Sequence, residues 1–254
     1  VTLAIGNTTY LNELLGEIQQ VAFLICAVTM LYLVGLADDL VGVKYRAKFI
    51  VQILCAVMFI VSGVYLQNFC GVAFCNEIHP IIGSLFTLVL IVFVINAINL
   101  IDGVDGLASG LSGVALLFYG TMFYLLGDYV YAVFAFSALG AVVQFFYYNV
   151  FGNAEKQTKI FMGDTGSLFL GGLVAGAAFM IDNPLIIALV GIVYICEALS
   201  DIIQVGVYKL THKRVFKMAP IHHHFEQCGW SENKIVAVFS ALTLLCCIGA
   251  WFAF

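Results

Sequence analysis

The chain has 254 residues, of which 63% are hydrophobic and 10% charged, with a net charge of −5. Its mean hydropathy is +1.07. Soluble domains carry about 25% charged residues, so a water-soluble domain is excluded and the bilayer is the solvent. No nucleic-acid partner is expected. The opening "VTLAIGNTTY" has no basic n-region and no small-residue cleavage site, unlike a signal peptide. It reads as the tail of an earlier apolar segment, and the chain is expected to begin part-way through a longer protein.

A helix needs roughly 17–25 apolar residues to cross the hydrocarbon. On that measure the predicted spans are 20–37, 48–66, 80–99, 106–126, 129–150, 164–182, 184–208 and 234–253. None alternates with the period of a strand, so the expected fold is all-α, a polytopic helical bundle of eight spans forming one integral membrane domain over 1–254. Gly106, Gly110 and Gly113, and Gly171 and Gly176, have spacing that suits close helix–helix contact.

Charge fixes the sides. The ten basic residues are Lys44, Arg46, Lys48, Lys156, Lys159, Lys209, Lys213, Arg214, Lys217 and Lys234. If the first span runs inward, alternation through eight spans puts all ten on one side, which the positive-inside rule makes cytoplasmic. The opposite loops, 1–19, 67–79, 127–128 and 183, contain none. Cys70 and Cys75 fall on that outer side, where a disulfide and two free thiols are both open. The other six cysteines read as small apolar residues without zinc-type spacing.

The acids need a separate reason. Asp38 and Asp39 close the first span in "LADDLVGVKYRAK". "NAINLIDGVDGLASG" carries Asn96, Asn99, Asp102 and Asp105 after a charge-free run. "NVFGNAEKQTKIFMGDTGS" carries Asn149, Phe161 and Asp164 before a new span. Two bare carboxylates 4 Å apart repel by roughly 4 kcal/mol at an effective dielectric near 20, so a convergent cluster would need a cation. Hard oxygen ligands with no thiolate favour Mg²⁺ or Mn²⁺, and Mg²⁺ typically bridges substrate phosphates. Gly103, Gly106, Gly163 and Gly166 let backbone approach an anion, and the helix opening at Asp164 offers N–H groups to phosphate. Lys44, Arg46, Lys48 and Lys217 add positive charge. In "KRVFKMAPIHHHFEQCGWSE", His222, His223 and His224 point in diverging directions; the segment suits recognition of phosphate or sugar oxygens, with one ring free to act as acid or base. Glu197 and Asp201 lie inside the seventh span, where acids also mark ion-coupled transport paths. Carriers, however, place their sites near the midplane between inverted repeats, whereas Asp38, Asp39, Asp102, Asp105 and Asp164 gather at one face, apart from Glu13, Glu17, Glu77, Asp128 and Asp182 on the other.

In these four stretches the chain resembles the polyprenyl-phosphate N-acetylhexosamine-1-phosphate transferases, over nearly its whole length. The histidine segment looks like the muramoyl-pentapeptide branch, which makes lipid I. The resemblance implies an Mg²⁺-dependent multi-pass enzyme of the bacterial plasma membrane, a homodimer with its active site on the cytoplasmic face. Its implied substrates are UDP-MurNAc-pentapeptide and undecaprenyl phosphate, with UMP released. It makes Asp164 the metal ligand and Asp38 and Asp39 the catalytic pair, with Asp38 the base or nucleophile. Asn96, Asn99, Asp102, Asp105 and Asn149 would line the substrate site, Phe161 would stack on uracil, and Lys48 and Lys217 would meet substrate charge. His222 would act in catalysis, with His223 and His224 on the muramoyl donor. Direct attack and a covalent intermediate both stay open. Family members have about ten spans, so one to two N-terminal helices are expected to be missing. The short segment after Asp39 and the long stretch 149–164 look more like the branch that transfers GlcNAc-1-phosphate. A divergent enzyme, a chimera of two branches and a sister transferase for UDP-GlcNAc are thus the alternatives within the family.

Overall fold

The computed structural model describes residues 2–67, 78–153, 155–181 and 183–252. Among these residues ten helices follow one another: α1 (Thr2–Val41), α2 (Tyr45–Val61), α3 (Pro80–Ile101), α4 (Leu107–Leu126), α5 (Tyr129–Phe151), α6 (Gly163–Met180), α7 (Pro184–Val190), α8 (Ile192–Thr211), α9 (Ile221–Gln227) and α10 (Glu232–Phe252). The described residues contain no strand. In hydrocarbon only a helix satisfies every backbone group within one segment, which is what the apolar runs require. Their ends are set locally. Pro80 opens α3, and Gly106 and Gly127, both in the left-handed region at φ 84° and 90°, bracket α4.

Among the described residues five helices are long and apolar enough to cross a membrane: residues Leu14–Val41, Pro80–Ile101, Leu107–Leu126, Tyr129–Phe151 and Glu232–Phe252. Five of the eight expected spans fall on these helices, and the other three fall on shorter, broken or more polar ones. The second expected span is only the 17-residue α2. The seventh, 184–208, is two helices separated at Gly191. The sixth, α6, is short and rich in glycine. Cys70 and Cys75 lie outside the described residues, so nothing bears on their pairing.

Short α6 is the axis of the bundle. Every residue from Leu170 to Phe179 is buried, against α1 on one side and α3 on the other. Its glycines make that approach possible: a methyl group on Gly171 would fall 2.9 Å from the Ile95 Cα, and one on Gly176 would fall 2.5 Å from a Leu24 methyl. Across the interface Gly35 does the same for α1, since a Cβ there would stand 2.5 Å from the Asp164 carbonyl oxygen. Backbone-to-backbone packing of this kind gives α1, α3 and α6 a fixed mutual register. Asp38 and Asp39 at the end of α1, Asp102 at the end of α3 and Asp164 at the start of α6 sit at termini of these three helices.

Candidate active site

Asp38 and Asp39 are neighbours in the last turn of α1 but have different partners. Asp38 Oδ1 accepts the Val43 N–H at 2.5 Å, which closes the tight link to α2, and its Oδ2 accepts from Lys48 Nζ at 2.8 Å. Asp39 turns to α6. Its two oxygens accept the N–H groups of Asp164 (3.0 Å) and Thr165 (2.9 Å) and the Thr165 hydroxyl (2.5 Å). These amides have no partner inside their own helix, so a carboxylate from another helix is well placed there. Gly163, at φ 61°, keeps that corner open: a Cβ there would lie 2.8 Å from Asp39 Oδ2.

Asp164 is the hub. Its Oδ2 accepts from Lys48 Nζ at 2.7 Å and its Oδ1 from Asn99 Nδ2 at 2.6 Å; the same amide donates to Ser167 Oγ at 2.7 Å. One ammonium thus joins α1, α2 and α6, and one amide joins α3 to α6. Asn96, one turn earlier, faces inward instead and exchanges hydrogen bonds with buried Gln52 and with the Val92 carbonyl. It braces α2 against α3.

Asp102 caps the C-terminus of α3. Burial, together with the charges of Asp164, Asp105 and Asp39, pushes its carboxyl up to about 7. This is the behaviour expected of several carboxylates that share too little positive charge. Asp105 pairs with Lys159, whose ammonium also lies 5.5 Å from the Phe161 ring centroid. Lys159 is accordingly shifted upward, mainly by its bond to Asp105. Asn149 locks this half: its Oδ1 takes the Gly106 N–H at 2.6 Å, and its Nδ2 donates to the Ile160 carbonyl and to Asp105. Phe161 is 73% exposed, an apolar ring left free at the rim.

The histidine segment reaches the same place from the other side. A methyl on Gly103 would stand 3.2 Å from His222 Nε2 and 3.4 Å from His223 Nε2. Both rings therefore face the turn between Asp102 and Asp105. His223 Nδ1 is held by Glu226 at 2.5 Å. His222 is fully buried and its Nδ1 pairs with Glu197 of α8 at 3.0 Å. His224 points elsewhere: its Nδ1 accepts the Lys217 N–H at 3.1 Å, and its ring packs on Phe216. The Lys217 ammonium donates to the Gln227 carbonyl. His224 and Lys217 therefore stabilise the loop rather than joining the acids. Sequence reading placed Glu197 only as an intramembrane acid. Lys159 counted there only as a cytoplasmic charge, and Gln52 not at all.

The expected convergence holds for the acids as a group, but not as a ready-made metal cage. Among the described residues no three His, Cys, Asp or Glu side chains stand in a metal-ligating group. Lys48 lies between Asp38 and Asp164, and Asp39 is engaged by α6. What remains for a cation is a few hard oxygens around Asp164 with surplus negative charge beside them. That donor set suits Mg²⁺, which is usually bound by one or two carboxylates plus waters and phosphate oxygens.

Residues 21–182, which include every acid of this cluster, match the model of glycosyl transferase family 4. The chain belongs to that family. A phospho-N-acetylmuramoyl-pentapeptide-transferase of Staphylococcus aureus (strain bovine RF122 / ET3-1) is 38% identical over 235 residues, covering 86% of this chain and 72% of that protein. The enzyme of the same description from Clostridium botulinum (strain Eklund 17B / Type B) is 52% identical over 141 residues, which is 56% of this chain and 42% of that protein. One from Clostridium perfringens (strain 13 / Type A) is 49% identical over 144 residues, 57% and 44% of the two chains. The matched region spans less than half the length of these clostridial proteins.

Proposed function

We propose that this member of family 4 transfers phospho-MurNAc-pentapeptide from UDP-MurNAc-pentapeptide to undecaprenyl phosphate, giving lipid I and UMP at the cytoplasmic face of a bacterial plasma membrane. An oxygen of the lipid phosphate forms a bond to the sugar-linked phosphorus, and the phosphoanhydride bond to UMP breaks. The observation that carries this reading is the meeting of Asp38, Lys48, Asn99 and Asp164, from four helices, at one end of the bundle beside two histidine rings.

Such a transfer depends on neutralising and positioning phosphates. Lys48 brings a fixed positive charge into the cluster, and Lys159 brings another at the rim. Phe161 offers a ring for a uracil to stack on, with the Lys159 ammonium close by. Asn149 and Asn99 hold the backbone and the carboxylate that a nucleotide would meet. Mg²⁺ (or Mn²⁺), held through Asp164, would supply charge neutralisation at the diphosphate. Asp38 is the acid we assign to the reacting phosphate, because it shares the Lys48 ammonium with Asp164, the proposed metal ligand. A homodimer is the assembly expected from resemblance.

The test is UMP release by the purified protein with polyprenyl phosphate, Mg²⁺ and either UDP-MurNAc-pentapeptide or UDP-GlcNAc. Release from the muramoyl donor, abolished in Asp164→Ala, is the expected result. Release from UDP-GlcNAc alone would reassign the donor, and release that survives Asp164→Ala unchanged would remove the metal role.

A further inference from the structure

Glu197 is fully buried in the second turn of α8, in a chain whose solvent is lipid. A carboxylate there is costly unless a specific partner offsets it. The partner is His222, 25 residues later. Glu197 Oε2 accepts from the ring Nδ1 at 3.0 Å and from the His222 backbone N–H at 3.3 Å. The returning segment is clipped to the same helix by Gln204, whose Oε1 accepts from Val215 and Phe216 N–H and whose Nε2 donates to the Phe216 carbonyl. The contact is thus built from three directions, and the ring has little freedom to turn.

Two atoms of the pair are left over. His222 Nε2 and Glu197 Oε1 are buried and have no hydrogen-bond partner among the described residues. A buried polar nitrogen without a partner is expensive. This one faces the Gly103 turn, beside the acid whose neighbours already crowd it with negative charge.

We propose that Glu197 is a positioning residue for the transfer. Its carboxylate takes the Nδ1–H of His222, fixes the ring against the 102–106 turn and leaves Nε2 to donate a hydrogen bond to a phosphoryl oxygen of the bound diphosphate. This rests on the transferase reading above. With both nitrogens protonated in that complex the ring is positive, and the carboxylate behind it balances the charge where water cannot. The same logic makes a carboxylate orient a histidine whose far nitrogen works on a substrate or metal. No proton has to change hands in the step itself. A mere staple between α8 and α9 would need the shape of Glu197 but not its charge, and it would not act through His222.

The experiment is a double-mutant cycle on the full chain in lipid nanodiscs, read as kcat and KM for UMP release, with Glu197→Gln and His222→Gln separately and together. Glu197→Gln is expected to lower kcat by about 10- to 100-fold, with the donor KM changed less than about threefold. In the His222→Gln background it should add less than about threefold to the loss. Full multiplication of the two losses would overturn the inference, as would wild-type kcat in Glu197→Gln while His222→Gln is impaired. If His222→Gln itself turns over normally, the reading of the site is what fails. Nitrogen NMR of histidine-labelled wild-type protein gives an answer independent of variant folding. The signal assigned to His222 must show a protonated, hydrogen-bonded Nδ1, and an unprotonated Nδ1 would overturn the proposal.

Discussion

Replacing Lys48 with Met keeps the aliphatic stem and removes the ammonium that joins Asp38 to Asp164. Two charge-assisted bonds of 2.8 and 2.7 Å are lost. Each is worth about 1.5–3 kcal/mol where water is scarce. The three side chains are only 16–25% exposed, and screening trims the sum to about 3 kcal/mol. In EDTA the variant should therefore unfold about 6–12 °C below the parent. Metal affinity should move the other way. Removing a positive charge from beside the proposed ligand Asp164 strengthens its attraction for a divalent ion. Two unit charges 4 Å apart interact by about 4 kcal/mol at an effective dielectric of 20. If a third of that survives solvent and salt, the gain is about 1.4 kcal/mol, or tenfold in affinity. UMP release titrated with Mg²⁺ should then half-saturate at about one tenth of the parental concentration while kcat falls. Lys44→Met, at an exposed position ahead of α2, serves as the control. A half-saturation point that is unchanged or higher in Lys48→Met would refute the reasoning, because Lys48 and the ion would then not share the same carboxylates.

Asp102, held up to about 7, keeps a proton in the folded protein that the unfolded chain loses near pH 4. Without divalent ions, stability should fall as pH rises from about 4 to 7, then level off. After discounting partial exposure the loss is about 2 kcal/mol, and Asp102→Asn should abolish it; thermal unfolding at pH 5 and pH 8 in EDTA decides. Gly171→Ala pushes a methyl against the Ile95 backbone, which cannot yield. It should cost about 1–3 kcal/mol, whereas Gly206→Ala, with nothing within 4 Å, should gain about 0.5–1 kcal/mol; unequal signs in thermal unfolding confirm the pair. Phe161→Ala should raise the KM for the UDP donor by about fivefold with kcat nearly unchanged, the mark of an interaction equal in ground and transition states. A fall in kcat alone would argue against stacking there.

Much of the bundle could be read from composition, because lipid leaves a chain few choices. The long apolar runs of α1, α3, α4, α5 and α10 declare themselves by length. The break at Gly191 does not, since a hydropathy window averages across it and sees one span where there are two helices. At the site, the acids were legible because charge at the end of an apolar run has no bland explanation when it recurs three times. Their individual partners were not. Asp38 and Asp39 are identical letters in the sequence, and only the packing of Gly35 against Asp164 shows that one belongs to Lys48 and the other to α6. The partner of Glu197 was out of reach for the opposite reason. Its partner lies on a segment that leaves α8 and doubles back, a route that no periodicity announces.

Asp39 binds α6 through two main-chain amides as well as a hydroxyl. A side-chain clasp can swing; this one cannot open without freeing the first turn of a helix. The aspartate that follows Asp38 therefore works as a hinge pin. Tilting α1 by even a small angle would carry the reactive end of α6 along with it.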